Sequence, residues 1–151
     1  TELTFYENDE MVYEKSFNIG TIRLLNNLVT DDNWQEMKEE IKANINSKKQ
    51  IVAIGSGGNI NKVFSMSKTK DGKPMSIAYL KNAYKEFNSL TVEERMTKYG
   101  FREDRADVLV HALKIYNFVM HWADINKIFV PKISVADGLI HNIYSSLEDK
   151  K

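Results

Sequence analysis

The run Gly55-Ser56-Gly57-Gly58-Asn59 is the part of the sequence best suited to holding an anion. It follows a short apolar stretch, residues 50–54, and precedes a helix-patterned one, residues 59–64. Glycines between a buried strand and a helix let backbone N–H groups approach an anion at the positive end of the helix dipole, where phosphate is the usual guest. A glycine turn joining strand to helix is also an ordinary connection, so the motif alone does not decide between the two. It is not a Walker A loop, because no Gly-Lys-Ser/Thr follows, and it is not a dinucleotide fingerprint.

Arg102, Glu103, Asp104, Arg105, Ala106 and Asp107 open the longest helical pattern in the chain. The dipole at a helix start favours the acids and opposes Arg105. A guanidinium placed there beside a glycine loop makes a bidentate phosphate clamp that lysine cannot match. An ion pair of Arg105 with Asp104 or Glu103 is the competing reading. Further on, Gly138 falls just inside the last helix, where glycine costs about 1 kcal/mol relative to alanine. Close packing is its expected purpose, with close approach to a ligand as the alternative. His111 and His121 are ten residues apart and share no i, i+4 face for a metal, and they read with His141 as ordinary helix histidines.

To bring these groups together the chain must alternate strand and helix. Residues 3–6 and 11–17 are aromatic and β-branched around the polar Glu7-Asn8-Asp9-Glu10, which predicts a hairpin. Residues 21–29 read as a short helix, and Asp32 with Gln35 as a capping box opening another. The apolar face of that second helix is Trp34, Met37, Ile41 and Ile45, and the pattern ends near Lys48. Strand 50–54, helix 59–64 and a loop over 68–74 come next, then a helix through Ile77, Leu80, Tyr84 and Phe87. Thr91 and Glu94 form another capping box, whose helix stops at Gly100. Residues 103–123 make a helix apolar on most sides, followed by strand 128–130, Pro131 and helix 135–147. The order β-β-α-α-β-α-α-α-α-β-α implies one α/β layered domain spanning residues 1–151.

Composition narrows the partners. Lysine plus arginine, 21, equals aspartate plus glutamate, 21, so no net field draws the chain to nucleic acid or an anionic membrane. The aromatics are interleaved with core positions rather than with a basic stripe, which argues against a nucleic-acid platform. No apolar run reaches the ~18 residues that span a bilayer. Without cysteine there is no disulfide, thiolate metal site or cysteine nucleophile, and a cytoplasmic location is the default expectation. The long apolar helix also leaves a homodimer interface open.

Taken in order, these motifs resemble the Ppx/GppA family of exopolyphosphatases and guanosine pentaphosphate phosphohydrolases. Thr1-Glu2-Leu3 resembles the tail of the family's Asp-x-Gly-Gly-Gly-Ser-Thr-Glu-Leu strand-turn, and residues 19–24 follow as that family's pattern has them. Gly55 to Ile60 resembles its second glycine turn. Arg105-Ala106-Asp107-Val108 matches its Arg-Ala-Asp-Val/Ile, and Ser134 to Ile140 resembles its Gly-Leu-x-x-Gly-Leu-Leu/Ile, with Ser134 standing where glycine is common.

The resemblance implies an actin-like ATPase (ribonuclease H-like) fold, with a mixed sheet, helices on both faces and the first strand missing. It implies the second, C-terminal domain of a phosphatase whose N-terminal domain is absent here, the cut falling just before Thr1. The activity implied is Mg2+-dependent release of terminal phosphate from polyphosphate or pppGpp. No catalytic residue is expected in this chain, because the general base would be a glutamate on the missing domain. Carried over by motif, Gly55, Ser56, Gly57, Gly58, Asn59 and Arg105 would bind phosphate, Gly20 and Arg23 would form a second tier, and Glu2 would lie at the metal. The alternative is a non-catalytic module of the same fold that senses a nucleotide or polyphosphate. A third reading is a structural α/β domain with no anion site.

Overall fold

A computed structural model describes residues 1–45 and 50–148. Strands β1 (Glu2–Glu7) and β2 (Glu10–Ser16) form the expected antiparallel hairpin. Its two turn residues, Asn8 and Asp9, have positive φ of 52° and 65°. Asx side chains tolerate that region, and the twist it gives matches that of the strands. Phe5 meets Tyr13 edge-on across the pair, with ring centroids 5.2 Å apart.

Helix α1 (Thr21–Leu25) is shorter than the sequence pattern suggests. The Asn26 side chain donates to the Ile22 carbonyl at 2.8 Å, and Asn27 turns into the left-handed region at φ 54°, which ends the helix. Helix α2 (Asp31–Asn44) has its capping box one frame earlier than expected, on Thr30 and Asn33 rather than Asp32 and Gln35. Thr30 is extended and accepts from the Asn33 amide, while Asp31 and Asp32 fall in the first turn, where the dipole favours them. Its expected end near Lys48 lies outside the described residues; Ile45 is already extended.

The chain continues through β3 (Ala53–Ile54), α3 (Gly58–Met66), β4 (Met75–Ser76) and α4 (Ile77–Asn88). Then come α5 (Val92–Tyr99), α6 (Glu103–Trp122), β5 (Lys127–Phe129) and α7 (Val135–Glu148). The Thr91–Glu94 box caps α5 in both directions, at 2.7 and 3.2 Å, and Gly100 ends it. Strand β4 has no counterpart in the sequence reading. It is two residues long, Met75 pairs with Ile128, and Ser76 at once becomes the N-cap of α4.

The expected mixed sheet is present, and the hairpin stands apart from it as a second sheet. β1 and β2 pair only with each other, and the order β3-β5-β4 makes a separate mixed sheet with β3 parallel and β4 antiparallel to β5. Helix α6 lies between two apolar clusters. One gathers Val63, Phe64, Leu80, Phe87, Leu109 and Leu113; the other gathers Phe17, Ile19, Met37, Ile41 and Ile115. No residue from Arg105 to Met120 is exposed, so the all-round apolar pattern of α6 reflects burial on every side.

Arg95 fastens this arrangement at the start of α6. Its guanidinium donates to the carbonyls of Phe87, Leu90 and Ala106 at 2.8, 2.7 and 2.7 Å, satisfying backbone acceptors from α4, the α4–α5 link and α6 together. The close packing expected around Gly138 is absent: a β-carbon there would meet nothing within 4 Å.

Candidate functional site

The glycine loop begins where β3 ends. The Gly55 amide donates to the Phe129 carbonyl at 2.8 Å and so extends the parallel ladder with β5 by one bond. Gly55 is buried, whereas Ser56, Gly57 and Gly58 are exposed. Gly57, at φ 112° and ψ 161°, is the N-cap of α3, in a region that is essentially glycine-only. No side chain caps α3 and its first turn holds no acid, so the positive end of its dipole is neither bonded nor neutralised by a side chain.

Helix α6 holds the loop at two points. Arg105 Nη1 donates to the Gly58 carbonyl at 3.1 Å, and the Tyr116 hydroxyl donates to the Ser56 carbonyl at 3.0 Å. Residues eleven apart return to the same helix face after three turns, about 16 Å along the axis. With two loop carbonyls engaged by α6, the amides at the start of α3 remain available for an anion. Burial pushes the Tyr116 phenol up to about 12, which keeps it a neutral donor at ordinary pH.

The structure thus brings Arg105 and Gly55 to Asn59 together. Arg105 forms no ion pair with Asp104 or Glu103; it is Arg102 that pairs with Asp104, at 2.7 Å on the open surface. Tyr116 is the residue that sequence reasoning missed, because it falls within the apolar pattern of residues 103–123. Nothing in a stretch of sequence ties it to Ser56, 60 residues earlier.

The other expected site residues form a separate group. Gly20 is the N-cap of α1 and Arg23 lies in that helix's last turn. The Thr1 hydroxyl donates to the Ile19 carbonyl at 2.7 Å, and Glu2 Oε1 accepts from Ser16 at 3.1 Å. Among the described residues, no hydrogen bond or ion pair joins this group to the glycine loop, and no three carboxylates or imidazoles cluster as a metal site. A depression of about 250 Å³ on α2 is walled by Glu36, Glu39, Glu40 and Ala43, and its carboxylates make it a poor host for phosphate. Lys15 bridges two of them, Glu40 at 2.6 Å and Glu36 at 3.0 Å. Its contact with Glu40 raises the ammonium pKa and lowers that of the carboxyl.

The fold and this geometry define an α/β lobe that presents a glycine loop at a bare helix N-terminus, backed by an arginine and a tyrosine of one long helix. Lobes of this fold occur in Ppx/GppA phosphatases. An exopolyphosphatase from Cytophaga hutchinsonii superposes with a TM-score of 0.76 at 21% identity, over 96% of this chain and 54% of its own. The type II variant of the Aquifex aeolicus Ppx/GppA phosphatase gives 0.74 at 16% identity, over 92% and 52%. A second Aquifex aeolicus family structure gives 0.71 at 16%, over 99% and 54%. At these identities the likeness is one of fold, and the chain spans about half the length of each of these structures. No family model and no curated protein matches the chain.

Proposed function

We propose that this chain is the phosphate-binding half of a two-lobe phosphoanhydride hydrolase that releases terminal phosphate from polyphosphate or pppGpp. The observation that carries the reading is the bare N-terminus of α3, with Arg105 held against Gly58 beside it. Phosphoryl transfer needs positioning and charge neutralisation more than covalent chemistry from the protein. Backbone amides of Gly58 and Asn59 and the remaining guanidinium nitrogens of Arg105 supply both.

Gly20 and Arg23 belong to a second tier that meets the phosphate chain from the β1–α1 side, and Glu2 lies at the metal edge of the site. Mg2+ is satisfied by one or two carboxylates together with water and substrate phosphates, so Glu2 alone is a sufficient protein ligand there. The ion would neutralise charge on the transferring phosphoryl group. In this reading the general base belongs to the other lobe; among the described residues the side chains that hydrogen-bond the loop are Arg105 and Tyr116, neither a carboxylate. That same lack of a carboxylate favours a second reading, a sensing module of this fold that binds a nucleotide or polyphosphate without hydrolysing it.

The test joins this chain to the half of the Cytophaga hutchinsonii exopolyphosphatase that lies outside the match. Phosphate release from polyphosphate and pppGpp is then measured with and without Mg2+. The joined protein is expected to release phosphate and the 151-residue chain alone only to bind it. Binding without release by the joined protein supports the sensor. Arg105→Ala is expected to weaken tripolyphosphate binding by the chain at least tenfold, and unchanged affinity would leave only a structural domain.

A further inference from the structure

Helix α7 holds none of its residues in a core. Val135 is 90% exposed, Leu139 59%, Ile140 67%, Ile143 52%, Tyr144 61% and Leu147 58%. At 100° per residue these six fall within about half of the helix circumference, while Asp137, His141, Asn142 and Glu148 occupy the other half. The helix is well begun, because Ser134 and Asp137 cap it reciprocally at 2.7 and 3.4 Å. A helix of 14 residues is nonetheless marginal in water without tertiary packing, so an apolar face this wide needs a cover.

The chemistry of the helix narrows what that cover is. α7 carries no lysine or arginine and has two acids, the reverse of what an anionic lipid surface recruits. Its apolar half holds no charge, so an apolar groove on another protein can take it without burying an unpaired ion. The superposition on the second Aquifex aeolicus structure spans 99% of this chain and therefore includes α7, yet only 54% of that longer chain. The matched molecule therefore carries a further portion of comparable length beyond the part that α7 belongs to.

We propose that α7 is a docking helix for the second lobe of a two-lobe molecule, with Leu139 and Ile143 as its anchors. The proposal rests on the two-lobe part of the functional reading but not on its phosphate chemistry. The second lobe covers α7 with an apolar groove, and α7 then ties the phosphate-binding half to its partner at a point remote in sequence from the glycine loop.

The experiment compares hydrogen exchange of the α7 amides in the 151-residue chain, over a range of concentrations, with that in the joined two-lobe protein. In the chain alone α7 is expected to exchange fast at every concentration, and in the joined protein at least tenfold more slowly. Leu139→Lys with Ile143→Lys should return the joined protein to the fast rate while leaving the thermal midpoint of the 151-residue chain unchanged. Three results overturn the proposal: equal rates in the two proteins, protection in the chain alone that grows with concentration and so reports a second copy, or protection in the chain alone at all concentrations. Tripolyphosphate affinity of the same samples separates the two ideas. Retained affinity with an undocked α7 removes the docking role alone, and a docked α7 without affinity removes the phosphate reading alone.

Discussion

Gly55 stands where β3 passes the chain to the glycine loop, and replacing it with alanine tests how the loop is seated. The added methyl would lie 2.8 Å from Ile128 Cδ1, 3.3 Å from Ile60 Cγ1 and 3.4 Å from Tyr116 Cε1. Apolar carbons rest about 3.5–4.0 Å apart, so either Ile128 or the loop must retreat by roughly 1 Å. Ile128 is 2% exposed and belongs to β5, which has a strand on each side, so it has little room to move. Overpacking of this kind costs about 1–3 kcal/mol, and the restricted unfolded chain of an alanine variant gives back about 0.4–1 kcal/mol. A net loss of about 1–2 kcal/mol is expected, lowering the thermal midpoint by roughly 2–8 °C at this chain length. Ile128→Val removes the obstructing Cδ1 and by itself costs about 0.5–1.5 kcal/mol. Urea unfolding of the double variant should therefore show a loss smaller than the sum of the singles by at least about 0.5 kcal/mol. Strict additivity would refute the argument that Gly55 makes room for Ile128.

Arg95→Met removes three hydrogen bonds that one cation donates and should cost about 3 kcal/mol in urea unfolding; Arg95→Lys should recover little, because an ammonium cannot span the three acceptors. Tyr116→Phe keeps the ring but loses the bond to Ser56, for about 1 kcal/mol. The native phenol titrates near 12 and the unfolded one near 10, so its contribution is complete below pH 10 and is lost as pH climbs from 10 to 12; the Phe variant should show a shallower alkaline decline. His111 behaves oppositely: burial first, then Lys114 and Arg95, hold its pKa below 6.5. The unfolded chain therefore takes up the proton first, stability falls as pH drops through 6.5, and His111→Gln should flatten that slope.

What could be read from the sequence was what neighbouring residues settle among themselves. Thr91, Glu94 and Gly100 fix both ends of α5 within ten residues, and the structure has them where the sequence puts them. Where several cap formers stand in a row, as in Thr30-Asp31-Asp32, more than one frame satisfies the capping pattern, and the structure takes the one that boxes Thr30 with Asn33 and leaves both aspartates in the first turn. Asn26 and Asn27 cut α1 short through a side-chain bond and a left-handed turn that hydrophobic spacing does not register. Strand β4 is too short to have a period and exists because Ile128 is there to pair with Met75. The glycine loop and Arg105 were legible as separate motifs, but the tie through Tyr116 depends on tertiary placement. Gly138 looked like a packing residue because the sequence cannot say whether a helix has neighbours.

The loop's two ties share a helix that the rest of the molecule already holds. Arg105 and Tyr116 lie on one face of α6, and Asn117, next to Tyr116, donates to the Leu80 carbonyl of α4 at 3.2 Å. At its start α6 gives the Ala106 carbonyl to Arg95, and Leu109, Leu113 and Ile115 anchor it in both clusters. The loop carbonyls are therefore oriented by groups whose positions the core sets, before any ligand arrives. For the proposed phosphate, little ordering entropy is left to oppose binding, since the backbone that meets it is already held on one side. The same argument separates two kinds of variant at this site. Loss of the Tyr116 hydroxyl loosens the loop and should weaken tripolyphosphate binding modestly, whereas Arg105→Ala removes both a tie and a charge and should weaken it most.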